Sequence, residues 1–551
     1  MIISDSIVFL SVQLVNASIL SLRETCDNFL RRSKSYGGQA ARTENEKFIF
    51  LKSRDFCFST IMIVLLFYIV LPLQASSLAE MQDECQSLAI RKLCDDDCRS
   101  HSYLKPRSIT TNNVFQHNLG LYWWYHDVLC EENCIWWAMQ VMPLYQRSTD
   151  AKAIAKYFFP CHKSAISIKE DGTGDVGSPW LNLIAQDGQN FDSTVSMRPV
   201  RSVVGSYFDF RFDFSTIICH SWVDVSFAVL HAKHTLHFCE TVSQYPGVEC
   251  NITSAGQALD QDDWCYGKFE QCSALTTHGV DDVQLKLGYD WFYCDTNHMS
   301  PYIVGLIPTT GNSPPEFIFE PSVGTNHPSI GFGILGDYKL WVDDSKEFTL
   351  LTDFKYRYVL HAVDKRSFDL SKNGSWSRYL QVVQDSALSQ PCSGINLFTQ
   401  KVEVTPGSTI DWWLALHFQQ SQLNIELGYD FWWRRAEHIT LCNPFPSNWG
   451  IYDIAGDANG NPVTASGAHI CQSIVNNVPS ADPTFVAITS ADLDLASGAA
   501  PRAISNTLYL AAAYNGYLSD SPAYIGLGSS YEWGSHALSN VALWVRVGVA
   551  F

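Results

Sequence analysis

The sequence is short of charge. Asp, Glu, Lys and Arg make up only 17% of its 551 residues, against 46% hydrophobic and 13% aromatic, so the usual water-facing surface of Lys and Glu is thin. Cations are the scarcer sign, the net charge is −19, and no basic cluster occurs, which excludes nucleic-acid phosphate as a partner. Catalytic signatures are missing as well: there is no G-x-S-x-G elbow, no H-E-x-x-H and no P-loop, so no enzyme and no cofactor is read from the chain. Gly331, Gly333 and Gly336 satisfy G-x-G-x-x-G, but in an alternating segment that ends Tyr338-Lys339-Leu340-Trp341. No helix follows to hold a pyrophosphate, and the segment reads as a strand. Beyond residue 75 no stretch reaches the roughly 18 consecutive apolar residues of a membrane helix. A mature chain lodged in a membrane would cross it with strands.

One apolar run does stand near the start. Phe56 to Ala75 has Lys47, Lys52 and Arg54 before it and small and polar residues after it, the layout of a secretory signal peptide cleaved near Ala75. The preceding residues 1–55 read as an N-terminal extension or an overlong gene start, and an uncleaved anchor is the alternative. Of 17 cysteines, Cys26 and Cys57 precede the cleavage point, leaving 15 in an exported chain, where cysteines tend to oxidise to disulfides. Residues 76–197 form a Cys-rich, partly helical region, a periplasmic or plug segment. Its two C-x3-C groups, Cys94/Cys98 and Cys130/Cys134, with Cys85, are disulfide candidates rather than metal ligands.

From Arg198 the pattern turns to strand after strand. Tyr207 to Phe214 alternates aromatic residues with Asp209, Arg211 and Asp213, and Phe348 to Tyr358 sets Phe354, Tyr356 and Tyr358 against Asp353, Lys355 and Arg357. Charges at every second position are ruinous against an apolar core and tolerable in a polar lumen. Val283–Phe292 and Leu423–Trp432 match position by position, with Lys286, Gly288 and Asp290 answering Glu426, Gly428 and Asp430. The glycine is expected to ease curvature. Further strands are expected at Ser221–Val229, Gly331–Val342, Thr409–Phe418, Ile504–Tyr514 and Ala523–Trp533, about 12 in all, within 10 to 16. Residues 240–282, 308–329, 364–408 and 436–503 are long, Gly-, Pro-, Asn- and Ser-rich candidate surface loops. His231, His234 and His237 recur every third residue, which suits a solvated loop helix. Asp453, Asp457, Asn459 and Asn461 read as a turn, since the downstream Glu of a calcium loop is missing. Ser375 and Ser377 would cap a short helix near Trp376.

The chain closes on Val541–Phe551, with Val541, Leu543, Val545, Val547, Val549 and Phe551 on one face and Ala542, Trp544, Arg546, Gly548 and Ala550 on the other. This strand, of the length that crosses a tilted barrel wall, resembles the closing strand of Gram-negative outer-membrane β-barrels, whose terminal aromatic is an assembly signal. The resemblance covers about residues 198–551. It implies an all-β, transmembrane antiparallel β-barrel in the cell outer membrane, with Phe551 read by the barrel assembly machinery and outer-membrane lipid around the wall. It further implies a porin-like channel for passive diffusion of small hydrophilic solutes and ions, with trimerisation in many members, so a homo-oligomer is left open. Strand parity would place Asp209, Arg211, Asp213, Lys286, Asp290, Asp353, Lys355, Arg357, Glu426, Asp430 and Arg546 on the pore lining.

Two other classes stay open at this point. A plugged barrel with Cys-rich loops cross-linked to neighbours would be a structural or adhesive surface protein. A secreted all-β binding protein, with a sandwich core, would carry glycans at Asn251-Ile252-Thr253 and Asn373-Gly374-Ser375.

Overall fold

Alternation of apolar and polar residues over 11 to 16 positions is what a wall with two unlike faces demands, and a computed structural model shows twelve such strands closed into one antiparallel barrel. The structure describes residues 99–117, 137–184, 190–214, 217–244, 252–294, 297–311, 315–343, 346–385, 391–452, 464–472, 485–518 and 520–551. The proposed signal segment, Cys85, Cys94, Cys98, Cys130, Cys134 and the Asp453–Asn461 turn lie outside the described residues. In chain order the wall strands are β1 (Trp137–Ser148), β2 (Val200–Asp213), β3 (Ser221–Thr235), β4 (Leu275–Tyr289), β5 (Asn297–Ile307) and β6 (Ser329–Asp343). They continue as β7 (Lys346–Val359), β8 (Gly407–Gln420), β9 (Leu423–Arg434), β10 (Ala503–Leu518), β11 (Ser521–Ser535) and β12 (Asn540–Ala550). Each pairs with its sequence neighbours, and β12 pairs back onto β1.

That seam is made by the chain terminus. The Trp137 amide donates to Phe551 O (3.0 Å), the Phe551 amide donates to Trp137 O (2.8 Å), and the two rings stack at 4.6 Å. The wall therefore begins at Trp137, about sixty residues before the boundary expected at Arg198. β1 was hidden because its inward residues, such as Gln140, Met142 and Gln146, are uncharged and Pro143 interrupts the pattern. Proline is tolerated there on the outward face. β5 was likewise not anticipated, carrying few charges beside Pro301 and Gly305.

The outward face is apolar over most of the wall. Leu285, Ile303, Phe332, Leu427, Leu510 and Leu527 are exposed, in the manner of residues facing lipid rather than water. Aromatic residues mark both rims: Tyr289, Trp291, Trp341, Tyr517 and Phe551 at the short-turn end, and Tyr145, Tyr358, Tyr531 and Trp533 at the other. Such girdles sit at the two membrane–water interfaces. No described helix is long and apolar enough to cross a membrane.

The long loops all leave the rim opposite Phe551, and there they build a cap. One four-stranded sheet joins Ala165–Lys169, Val176–Gly177, Asp192–Ser196 and Cys239–Gln244; a three-stranded sheet joins Ala362–Ser367, Thr399–Thr405 and His438–Leu441. Helix α1 (Asn113–His117) lies in the lumen, and α2 (Ala151–Phe158) follows β1 at the cap. Phe158, Trp180, Trp264, Phe269, Trp376 and Phe398 share one buried apolar core.

Several local expectations change in this setting. His231–His237 is not a loop helix: His231 and His234 lie on β3, one outward and one inward, because β3 runs six residues past the expected end at Val229. Trp376 caps a 3-10 turn at Ser377–Tyr379 without a side-chain bond, and the Ser377 hydroxyl instead accepts from the Leu370 amide (2.7 Å). Asn373 is buried, its Nδ2 donating to Ser466 O and Ala468 O (2.9 and 2.7 Å), so this fold has no room for a glycan there. Among the described cysteines, Cys219, Cys239, Cys265, Cys272, Cys392 and Cys442 are free thiols.

A closed wall leaves no strand edge from which to unzip. The folded chain is therefore expected to resist SDS until heated, and gel migration before and after boiling, with reductant held constant, checks it. Identical migration of a sample folded by circular dichroism would contradict the closed seam.

Candidate functional site: the lumen and the segment inside it

Strand parity delivers each inward charge to its place. All eleven residues expected on the pore lining point inward and are buried, Asp353 and Lys355 fully so. A water-filled lumen would have left them wet. Residues 99–117 run down the barrel axis from the cap, and this segment answers Asp281, Asp353, Lys355, Asp411, Asp430 and Arg546 of the wall. The expected open, water-filled pore is thus replaced by a filled one.

The descent starts at the cap, where Lys105 Nζ lies 3.1 Å from Glu437 Oε1. Next, Arg107 forks between two wall strands. Its Nη1 donates to Asp430 Oδ2 and its Nη2 to Asp411 Oδ1, both at 2.7 Å. The second oxygen of Asp411 accepts from Arg357 (2.8 Å). Ser108 Oγ donates to Asp281 (3.0 Å) and the Thr110 amide to the same carboxylate (2.8 Å). Lys355 Nζ then donates to Thr111 O, Asn113 Oδ1 and Gln116 Oε1 (3.2, 2.7 and 3.3 Å), an ammonium with three partners for its three protons. At the foot of α1, His117 Nε2 is 2.6 Å from Asp353 Oδ2, whose other oxygen accepts from the Tyr302 hydroxyl (2.6 Å). Arg546 donates to the carbonyls of Phe115 and Gln116 on the same helix.

Apolar packing completes the fill. Val114 and Phe115 join Met142, Tyr207, Trp413, Tyr509 and Trp544 in a core inside the barrel, and Phe115 meets Trp544 edge to face at 5.6 Å. Among the described residues, two small gaps beside Arg107 measure about 10 Å³ and about 40 Å³. Those are spaces for one to a few waters.

Toward the turn end a second network joins residues of the wall. The Trp222 indole donates to both Asp290 (3.0 Å) and Ser300 (2.7 Å), His298 Nε2 is 2.9 Å from Asp290, and Arg211 lies over the Trp222 ring at 4.1 Å. Sequence reasoning found Arg211 and Asp290 from their alternation. It missed Asp224, Asp281, Asp411, Trp222, His298 and Tyr302, since a buried aromatic or a lone acid carries no period that separates it from a core residue. Arg107, Lys105 and His117 were also missed; the extended segment that carries them has no alternation of its own.

The two matching glycines have a reason other than curvature. A Cβ on Gly288 would stand 2.0 Å from the Trp222 ring, and one on Gly428 would stand 2.2 Å from the Tyr509 ring. Each glycine lets an aromatic ring from the neighbouring strand lie across the wall and hold a carboxylate, Asp290 through Trp222 and Glu426 through Tyr509 (2.5 Å). Gly428→Ala is expected to cost roughly 1–3 kcal/mol by overpacking, seen as a lower temperature for the SDS gel shift.

Outside the membrane span, Glu437 ties cap to segment. Burial alone would raise its carboxyl, but Lys105, Arg366 and Arg434 hold it down at about 2, and its second oxygen accepts from the Ala500 amide (3.0 Å). A depressed carboxylate contributes stability above its unfolded value of about 4.3 and loses it as pH falls toward the folded value. Hydrogen exchange at the cap junction is expected to quicken between about pH 4 and 2 in the wild type. Glu437→Gln is expected to exchange fast at neutral pH too, with that acid step flattened.

No protein-family model and no curated protein matches the chain. Among solved structures, similarity is found to an outer membrane channel of Pseudomonas putida F1 (10% identity, 75% of this chain and 95% of that chain, TM-score 0.31). It is also found to the translocator domain of the autotransporter NalP from Neisseria meningitidis (8%, 81% and 100%, 0.20) and to the Ralstonia pickettii toluene transporter TbuX (7%, 75% and 89%, 0.24). Superpositions this loose leave the assignment to the wall itself: twelve closed strands, an apolar exterior between two aromatic rims and a charged interior make this chain a transmembrane β-barrel of the outer-membrane kind.

Proposed function

We propose that the protein is an outer-membrane channel held shut at rest by residues 99–117. The observation that carries this reading is the kind of bond holding the segment. Apart from the Ile109, Val114 and Phe115 contacts and the His117 ring against Trp413, the segment meets the wall through ion pairs and hydrogen bonds: Arg107 with Asp411 and Asp430, Lys355 with the Thr111 to Gln116 turn, Asp281 with Ser108 and Thr110. Groups of this kind are costly to leave dry and unpaired but can exchange their partners for water when a segment moves out. What the exit uncovers is a lumen carrying both signs, with Asp209, Arg211, Asp213, Lys286, Asp290, Asp353, Lys355, Arg357, Glu426, Asp430 and Arg546 as its lining. Such a lining suits small polar solutes with little preference between anions and cations.

A structural, permanently closed barrel is the second reading, favoured by the apolar core of the cap, which roofs the same mouth. Single-channel recording in planar bilayers separates the two. Breaking a buried ion pair by removing one partner costs about 3–5 kcal/mol, so Arg107→Ala is expected to raise the open fraction at least about 100-fold over a nearly silent wild type, with reversal potentials in a salt gradient near zero. Silence of both proteins, in samples that keep their heat-dependent gel shift, would favour the structural reading.

A further inference from the structure

The outward face breaks its apolar rule at one corner. At the cap-side rim, Arg147 on β1 pairs in register with Ser202 on β2, which pairs with Lys233 on β3, which pairs with Thr276 on β4. The row below, toward the membrane, runs Tyr145, Val204, His231, His278 through the same three pairings. All these side chains point outward, and Arg147, His231, Lys233 and His278 are exposed. With strands about 4.8 Å apart, Arg147 and Lys233 stand about 10 Å from one another, a span that long side chains bridge. Just above, Lys152 and Lys156 are exposed on α2.

For a chain of net charge −19 this concentration of cations is lopsided. No outward position of β1 to β4 holds a carboxylate, and none of the four basic residues is ion-paired among the described residues. The nearby acid, Asp150, is engaged as the N-cap of α2, accepting from the Ala153 amide (3.0 Å). Directly beside Arg147 a groove of about 430 Å³ opens between β1, β2 and β12. Tyr145, Val200, Val541 and Leu543 make an apolar floor, and Arg147, Ser148 and Thr149 line its polar upper end.

An apolar groove running up from the lipid level and ending under unpaired cations fits one kind of molecule. We infer that this corner binds a membrane lipid with a phosphate headgroup, its acyl chain in the Tyr145–Leu543 groove and its phosphate against Arg147 and Lys233. The Ser202 hydroxyl stands between the two charges in the same row. Cations at the interface reach past an apolar stem to the headgroup level, and their attraction to phosphate is strengthened there by the low dielectric of the acyl region beneath. The inference rests on the barrel lying in a membrane.

Native mass spectrometry of the full chain, folded in detergent and offered equal amounts of phosphatidylglycerol and phosphatidylcholine with the same acyl chains, tests it. The wild type is expected to retain phosphatidylglycerol about tenfold over phosphatidylcholine. The double variant R147Q/K233Q is expected to bring the ratio to about one, and Leu543→Trp, which fills the groove, to lower retention of both lipids. Lys372→Gln, on the cap, is expected to behave as wild type. Equal retention by the wild type, a preference that survives in R147Q/K233Q, or displacement of the lipid by an equal amount of glycerol phosphate would overturn the lipid site. The gel shift on heating is recorded on the same samples: its absence would strike the membrane-barrel reading, whereas its presence with no lipid preference strikes this site alone.

Discussion

The structure turns on a closed sheet whose inner face is charged. Closing twelve strands removes every edge and sends each second residue to a lumen that must either fill with water or fill with partners. Here the partners come from the chain itself. Arg107 neutralises Asp411 and Asp430, Asp281 is met by a backbone amide and a hydroxyl, and Lys355 is satisfied by three oxygens of the inserted segment. Taking away any one of these leaves a dry charge behind, which explains why the segment and the wall read as one unit.

The aromatic residues serve two separate duties. Outside, they mark the rims at which lipid gives way to water. Inside, Trp222 and Tyr509 lie over Gly288 and Gly428 and hold the carboxylates of Asp290 and Glu426. A wall glycine and a neighbouring ring act as one element, the ring covering backbone that a side chain would otherwise cover. The cap works differently, by burying Trp180, Trp264 and Trp376 in an apolar core of the sort found in soluble domains. Its junction to the lumen runs through Glu437, and is therefore electrostatic where the rest of the cap is not.

Much of the wall was legible because period two is a local property. Each of β2, β7 and β9 carries its own record of which face meets lipid, and the terminal strand declares both faces within eleven residues. The strands left unread, β1 and β5, are those whose inward residues are mostly uncharged, so that alternation loses its contrast. The inward direction of the eleven charged residues followed from parity alone. Their burial did not, because it depends on what else enters the lumen.

By itself, then, the sequence determined the class of wall, ten of its twelve strands and the inward direction of the charges, since each follows from side-chain alternation. Only the tertiary structure decided that residues 99–117 occupy the lumen, that Gly288 and Gly428 make room for rings, and that Arg147, His231, Lys233 and His278 meet at one corner of the outer face. Those are encounters between residues far apart in the chain, and their register is set by strand pairing, which no local pattern encodes.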